Sequence, residues 1–357
     1  MTPSRIGLFF SYPAYFSLAA LWLGVEVLSG LVAQPAQAAH EENFAQAQIQ
    51  GDSDYLEARQ YIEKHQWPEA VIALRSVLKR TPDFAPAAVE LAHALVYTNR
   101  REEALNLLNQ WTAKEKGDSR LTLIRKLRVL SRVFLTQENF QAYQDALNLM
   151  TQAKYQSAIE RFEKALKAEP YNVEILTRLG QCFVLQNDYD SAAEKLRIAR
   201  KLNPFEPEVH LWLGRALQIR GELSEALNEF KEGFAGLPES ELAPVWFSEA
   251  LTSVGQKSQA LSLLESDVKL RPQHLGSLVA LAKLRLQGSP RKSAAIESAR
   301  RELRIALSRF SQTNFAQLPR SESDLGVQSV EDPKLLKADI QRLLEQLENI
   351  NPADATT

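Results

Sequence analysis

The chain has 357 residues, of which 45% are hydrophobic and 24% are charged, and its formal net charge is −2. So small a net charge gives no reason to expect nucleic acid or an anionic membrane as the main partner. The single cysteine, Cys182, excludes an intramolecular disulfide and a zinc site built on several cysteines. Good helix formers dominate the composition, which favours an all-α fold.

The segment 1–38 has the order of a secretory signal peptide. A basic start at Arg5 precedes an apolar run over 6–33, and small residues then form a site of the A-x-A kind that ends at Ala38. We expect cleavage there, which would place the body in the periplasm or otherwise outside the cytoplasm. The alternative is an uncleaved helix that anchors an extracytoplasmic body in the inner membrane. Glu26 disfavours the anchor, because an acidic group at the bilayer centre costs about 2.5–3.5 kcal/mol.

A short polar linker over 39–52 leads to a region that repeats itself. The block 171–204 matches the block 205–238, which follows it directly and has the same length. The matching pairs include Leu179-Gly180 with Leu213-Gly214, Ala192 with Ala226, Leu196 with Phe230, and Pro204 with Pro238. A fixed period of this length is typical of a solenoid of helix pairs.

The repeated residues resemble the tetratricopeptide repeat, a pair of antiparallel helices in about 34 residues. Small residues at positions 8 and 20 let the two helices approach closely, and proline at position 32 ends the second helix. The alanines at position 20 are Ala70, Ala104, Ala158, Ala192, Ala226 and Ala260, and the prolines at position 32 are Pro82, Pro170, Pro204, Pro238 and Pro272. The resemblance implies an all-α, right-handed superhelical solenoid of about six to seven helix hairpins.

The repeats divide the chain into segments. Two repeats of this kind are predicted over 53–116 and four regular ones over 139–272. An extra amphipathic helix is predicted in the insert 117–138, because leucines recur there at helical spacing. A degenerate terminal repeat (273–310), a flexible link (311–330) and a C-terminal helix (331–350) follow. We expect the last helix to cap the final repeat, and the alternative is that it is offered to a partner.

The sequence carries no catalytic motif that we recognise. It has no HExxH, no glycine-rich phosphate loop and no GxSxG, so we predict no enzymatic activity, no cofactor and no metal site. His210 and Cys182 fall at packing positions of their repeats. Two basic clusters are interpreted as solvated faces rather than anion sites: Arg120, Arg125, Lys126, Arg128 and Arg132, and then Arg291, Lys292, Arg300, Arg301, Arg304 and Arg309.

The resemblance implies that partners bind on the inner surface, which is lined by positions 2, 5, 9, 12 and 13 of each first helix. We call the residues at these positions the inner-surface residues. The candidate residues are Phe140, Tyr143, Leu147, Thr177, Gln181, Leu211, Arg215, Gln218 and Glu249. The lysine and asparagine with which chaperone-binding members grip a C-terminal carboxylate are missing, so that activity is not carried over. The mixed apolar and polar lining would suit a peptide or helix segment of a protein partner.

The sequence therefore predicts a non-enzymatic scaffold or adaptor that acts outside the cytoplasm and binds a protein partner. By analogy with similar bacterial proteins, it would serve envelope assembly, secretion or polysaccharide export. The alternative is an accessory subunit of an inner-membrane complex, held by an uncleaved N-terminal helix.

Overall fold

The computed structural model describes residues 53–237, 239–272, 274–287, 293–312 and 333–348, and these residues form sixteen α-helices and no β-strand. The predicted signal peptide and linker lie outside the described residues, as does nearly all of the predicted link 311–330. Within the described ranges, no helix combines the length and apolarity needed to cross a membrane.

The helices in chain order are α1 (Ser53–Glu63), α2 (Trp67–Arg80), α3 (Ala85–Tyr97), α4 (Arg101–Lys114), α5 (Gly117–Arg132), α6 (Gln137–Thr151), α7 (Tyr155–Ala168), α8 (Val173–Leu185), α9 (Tyr189–Leu202), α10 (Pro207–Ile219), α11 (Leu223–Gly236), α12 (Leu242–Ser253), α13 (Lys257–Leu270), α14 (Leu275–Leu286), α15 (Ser293–Gln312) and α16 (Pro333–Glu348). Seven hairpins can be assigned in the described part of the chain: α1–α2, α3–α4, and the pairs from α6–α7 to α14–α15. The insert predicted over 117–138 contains α5. The prediction of an all-α fold built from helix hairpins is confirmed, whereas the handedness of the superhelix stays a prediction.

The turn inside a hairpin has the same geometry in six repeats. One residue per turn has a positive φ, and these residues recur every 34 residues except across the insert that contains α5: His65, Asn99, Ala153, Asn187, Gly221 and Gly255. The backbone N–H of the next residue bonds back to the end of the first helix, as from Glu222 to the Leu217 carbonyl at 2.9 Å. A left-handed residue followed by such a bond is the Schellman termination of a helix. Glycine and asparagine suit this place because the left-handed conformation costs them least.

Small residues bring the two helices of each hairpin together. All six alanines predicted at position 20 are fully buried. A methyl group added at Gly180 would lie 2.5 Å from Leu196 Cγ, and one added at Gly214 would lie 2.9 Å from the ring of Phe230. The side chain at position 24 therefore occupies the space that glycine leaves at position 8, as the repeat pattern predicts.

The described residues fall into two compact units, and each is treated separately. The N-unit comprises the described residues up to Asp145 with Arg161–Leu176 and Ile198–Phe205. The C-unit comprises Ala146–Glu160, Thr177–Arg197 and the described residues from Glu206 onward.

In the N-unit, α5 packs against the turn that follows α9. Its face with Leu123, Leu127 and Leu130 is buried. Arg128 donates from Nε and Nη2 to the Phe205 carbonyl oxygen at 3.1 and 2.7 Å, and the Arg120 guanidinium lies 5.7 Å from the centre of the Phe205 ring. Arg120 and Arg128 of the first basic cluster thus have structural contacts, and so does Arg132, whose Nε lies 3.2 Å from Glu174 Oε2.

In the C-unit, α14, α15 and α16 share a core. Leu278 and Ala282 of α14, Leu303 of α15, and Ile340 and Leu347 of α16 are all buried in it. The helix α16 therefore lies where a capping helix is expected, with its apolar stripe turned to the terminal hairpin.

Candidate partner-binding surface

The predicted inner-surface residues differ widely in exposure. Five of the nine are buried, namely Tyr143, Leu147, Thr177, Gln181 and Leu211. Phe140, Arg215 and Gln218 are partly exposed, and Glu249 is exposed. Phe140 and Tyr143 belong to the N-unit and the other seven to the C-unit. The predicted residues that remain exposed to solvent therefore lie mainly on α10 and α12.

Arg215 of α10 is the centre of a polar group on that surface. Its Nη1 donates to Glu249 Oε2 of α12 at 2.8 Å and to Gln218 Oε1 at 3.0 Å. Its guanidinium also lies 5.2 Å from the centre of the Trp246 ring. These contacts hold the guanidinium in one orientation, while about a fifth of the side chain (22%) stays exposed to solvent.

Two tryptophans pack beneath Arg215. The rings of Trp212 and Trp246 meet edge to face, with centroids 5.0 Å apart and an interplanar angle of 75°. Both are almost fully buried, and such a pair contributes about 0.5–1.5 kcal/mol beyond the area it buries. Ile219, one residue beyond Gln218, is 45% exposed and adds an apolar side chain at the rim. We refer to Arg215, Gln218, Ile219 and Glu249 as the Arg215 surface.

The predicted residue Tyr143 has an internal role in the N-unit. Its hydroxyl donates to Glu174 Oε1 at 2.7 Å, and Arg132 Nε lies 3.2 Å from the other oxygen of the same carboxylate. Phe134 and Phe162 pack against the Tyr143 ring. The tyrosine therefore joins a buried polar group to the aromatic core.

The sequence did not predict that some charged side chains of the first helices are buried. Arg178 and Glu208 are both buried, with Nη2 and Oε2 3.3 Å apart, and Arg178 Nη1 also donates to Gln181 Oε1 at 3.2 Å. The repeat pattern leaves these positions free, so their residue types alone suggested solvent exposure. One signal was available: Glu208 lies 34 residues after Glu174, so an acidic residue recurs at the same position of two consecutive repeats.

Two buried histidines pair with carboxylates, and one of them, His210, was predicted to be a packing residue. His210 Nδ1 lies 2.6 Å from Glu229 Oε2, and His274 Nδ1 lies 3.1 Å from Asp267 Oδ2, with all four side chains buried. Burial raises the pKa of Asp267, but hydrogen bonds from His274, Ser277 and Arg271 outweigh it and leave the pKa below its ordinary value. These contacts hold helices in place.

A carboxyl group and an imidazole of α3 have perturbed pKa values. Burial raises the pKa of Glu90 to about 7, although Arg59 opposes the shift. Burial also lowers the pKa of His93 to about 4, and the charge on Lys126 of α5 lowers it further. Perturbed pKa values occur at catalytic sites, but also wherever polar groups are covered by packing. In the part of the chain that the structure describes, no group of three or more His, Cys, Asp or Glu could hold a metal ion.

We expect the Cys182 thiol to be unreactive in the folded protein. Burial raises its pKa to about 12, so almost no thiolate forms at mildly alkaline pH, and thiolate is the reactive species. Ellman's reagent should label far less than one thiol per native chain and close to one after unfolding in guanidinium chloride. Rapid stoichiometric labelling of the native protein would contradict the buried position of Cys182.

The match to a family model agrees with the helix-hairpin architecture. A family model described as tetratricopeptide repeat matches residues 61–127 and 149–216. Among solved structures, the chain is similar to MamA from Desulfovibrio magneticus, in a form that begins at its residue 41 (14% identity; 51% of this chain and 99% of that one; TM-score 0.43). It is also similar to PilW, a type IV pilus biogenesis factor (19% identity; 60% and 100%; TM-score 0.44). A tetratricopeptide repeat protein from Parabacteroides merdae is similar over 83% of this chain and 98% of its own (14% identity; TM-score 0.41).

Among curated proteins, no significant match was found. The family match and the hairpin geometry together define a repeat protein of the helix-pair class, with tetratricopeptide repeats in the matched segments 61–127 and 149–216. Such repeats serve as scaffolds for protein–protein interaction and are generally not enzymes.

Proposed function

We propose that this protein is a non-enzymatic scaffold that acts outside the cytoplasm and binds a segment of a protein partner on the Arg215 surface. The observation that carries the proposal is the fixed, partly exposed guanidinium of Arg215, held between Glu249 and Gln218 above Trp246. Arginine and tryptophan are enriched among the residues that dominate binding energy at protein interfaces. A guanidinium that is already oriented also loses less entropy when a partner binds.

The Arg215 surface favours a peptide or helix segment with both polar and apolar side chains. Its amide, guanidinium and carboxylate groups can bond to a peptide backbone, and Ile219 can contact an apolar anchor. Since Glu249 is exposed and lies 2.8 Å from Arg215, the local charge is balanced. The partner segment is therefore expected to be of mixed polarity and not strongly charged.

The location outside the cytoplasm is supported by the sequence of the segment 1–38, with cleavage after Ala38. A reporter that is active only outside the cytoplasm, fused after Thr357, should be active. Activity of a cytoplasmic reporter at the same place would contradict the proposal. Envelope assembly, secretion and polysaccharide export are the processes in which such a scaffold would act.

A membrane-tethered accessory subunit is the second candidate, because the apolar run over 6–33 is long enough to cross a bilayer. Sequencing the N-terminus of the mature protein distinguishes the two. A new terminus at Ala39 supports the freely secreted scaffold, and an intact terminus at Met1 or Thr2 supports the tethered subunit.

Replacing Arg215 by alanine should weaken partner binding by roughly 30-fold, which corresponds to the loss of a contact worth about 2 kcal/mol. Binding is measured by capturing the partner from the native envelope on immobilised protein, followed by titration of the partner so identified. Lys231→Ala is the matched control, because Lys231 is an exposed basic residue on the second helix of the same hairpin. Equal capture by the two variants would contradict binding at the Arg215 surface.

A further inference from the structure

An arginine-lined groove runs along α15 in the C-unit. It has a volume of about 500 Å³ and is lined by Arg300, Arg301, Arg304, Ile305, Ser308 and Arg309, with Glu297 at one end. Ligand sites commonly have volumes of about 300–1,000 Å³, so the groove is large enough to hold several residues of a peptide. It lies on the terminal hairpin and shares no residue with the Arg215 surface.

Both acidic residues of α15 are engaged with arginines other than Arg301 and Arg304. Glu297 pairs with Arg300, whose Nη2 also donates to the Leu347 carbonyl oxygen of α16 at 3.1 Å. Glu302 is buried and pairs with Arg285 of α14. The carboxylates of this helix therefore do not neutralise the guanidinium groups of Arg301 and Arg304.

Arg301 and Arg304 are exposed, and neither makes an ion pair or hydrogen bond among the described residues. Each presents a planar fork of donors that matches a carboxylate in a bidentate arrangement. Glu297 lies one turn before Arg301 but pairs with Arg300 instead. Among the described residues, the groove therefore presents two guanidinium groups that no carboxylate contacts.

The spacing of the arginines favours a linear ligand over a single small anion. A helix rises about 1.5 Å per residue, so Arg301 and Arg304 are separated by about 4.5 Å along its axis, and Arg309 lies about 7.5 Å further on. Alternate side chains of an extended peptide are about 7 Å apart. That is more than the axial distance between Arg301 and Arg304, but their long side chains can diverge to meet it, and a row of this length contacts more of an extended ligand than of one phosphate. Ile305, 37% exposed, lies within the row and can contact an apolar side chain of the ligand.

We propose that the α15 groove binds an acidic, extended segment of a protein partner, with its carboxylates on Arg301 and Arg304 and an apolar side chain on Ile305. Nucleic acid fits less well, because no aromatic side chain lines the groove for base stacking. The site is a second contact, separate from the Arg215 surface. It would let the scaffold hold two segments at once and so raise its overall affinity for a large partner.

The test measures binding of a fluorescein-labelled peptide of ten residues that alternates glutamate with serine and has one central leucine. Fluorescence anisotropy is recorded with the purified full-length protein at low and at physiological salt. We expect binding that weakens with salt and is lost by about tenfold or more in the double variant Arg301→Glu/Arg304→Glu. The double variant Arg301→Gln/Arg304→Gln, which removes the charge without reversing it, should show a smaller loss in the same direction.

The matched control is Lys231→Glu/Lys269→Glu, which changes the net charge equally at two exposed lysines of the C-unit outside the groove. Circular dichroism confirms that each variant is folded. Equal binding by the wild type and both arginine variants would overturn the proposal, as would an equal loss in the lysine control. Displacement of the peptide by tripolyphosphate at a lower concentration than by unlabelled peptide would assign the groove to phosphate and also overturn it.

Discussion

Replacing Glu169 by alanine is expected to lower the free energy of unfolding by about 3–5 kcal/mol, because it leaves a buried arginine without its counter-charge. Arg101 Nη2 donates to Glu169 Oε2 at 2.8 Å, and both side chains are less than 5% exposed. Burial lowers the pKa of Arg101, and the Glu169 carboxylate opposes that shift. The same carboxylate accepts the backbone N–H of Leu135 at 2.9 Å and Asn172 Nδ2 at 3.2 Å. Urea unfolding followed by circular dichroism measures the effect.

Glu163→Ala provides the control for this prediction. Glu163 lies on α7, the helix that ends just before Glu169, and its side chain is exposed. Loss of an exposed glutamate should change stability by no more than about 0.5 kcal/mol. If the two substitutions had the same small effect, the Arg101–Glu169 pair would not hold α4 to the turns around Leu135 and Asn172 as described.

Replacing Phe230 by alanine is expected to cost about 3–5 kcal/mol, the range for truncating a buried aromatic residue. Phe230 is fully buried on α11 and fills the space beside Gly214 of α10. Truncation leaves a cavity between the two helices of a hairpin, and α10 carries Arg215. Thermal or urea unfolding gives the magnitude.

Phe230→Leu tests whether the repeats are structurally equivalent. Leu196 occupies the corresponding place in the preceding repeat, where it packs against Gly180 as Phe230 packs against Gly214. Leucine at 230 should therefore cost only about 1–1.5 kcal/mol, as expected for a hydrophobic exchange that keeps most of the buried volume. A loss as large as that of Phe230→Ala would show that the equivalence of the two repeats does not extend to their packing.

The repeat period is the part of the fold that the sequence predicts well. Ala192 and Ala226 are fully buried at the places where small residues were expected, and Leu196 and Phe230 meet the glycines of the first helices. These contacts join residues within one repeat and recur in the next repeat at the same positions. Because the same contact forms in every repeat, the residue types that make it recur in the sequence at a fixed spacing and can be recognised there.

Contacts between distant repeats leave no such trace. Arg101 follows another arginine and precedes two glutamates, which is typical of an exposed helix start, yet it is buried against a residue 68 positions away. The family pattern also assigns Thr177 and Gln181 to the inner surface, although both are fully buried. The repeat pattern describes how helices of one repeat pack together. It does not show which residues from other parts of the chain cover an inner-surface position. Of the predicted inner residues, Arg215, Gln218 and Glu249 combine exposure with contacts to one another.

The central claim is that the Arg215 surface binds a protein partner. It is tested most directly by photo-crosslinking in the cells that make the protein, with the photoreactive residue placed at Gln218. Asn228, exposed on the second helix of the same hairpin, is the control position. We predict one crosslinked protein from position 218, its loss when Arg215→Ala is added, and none from position 228. No crosslink at 218, or the same products from both positions, would contradict the claim.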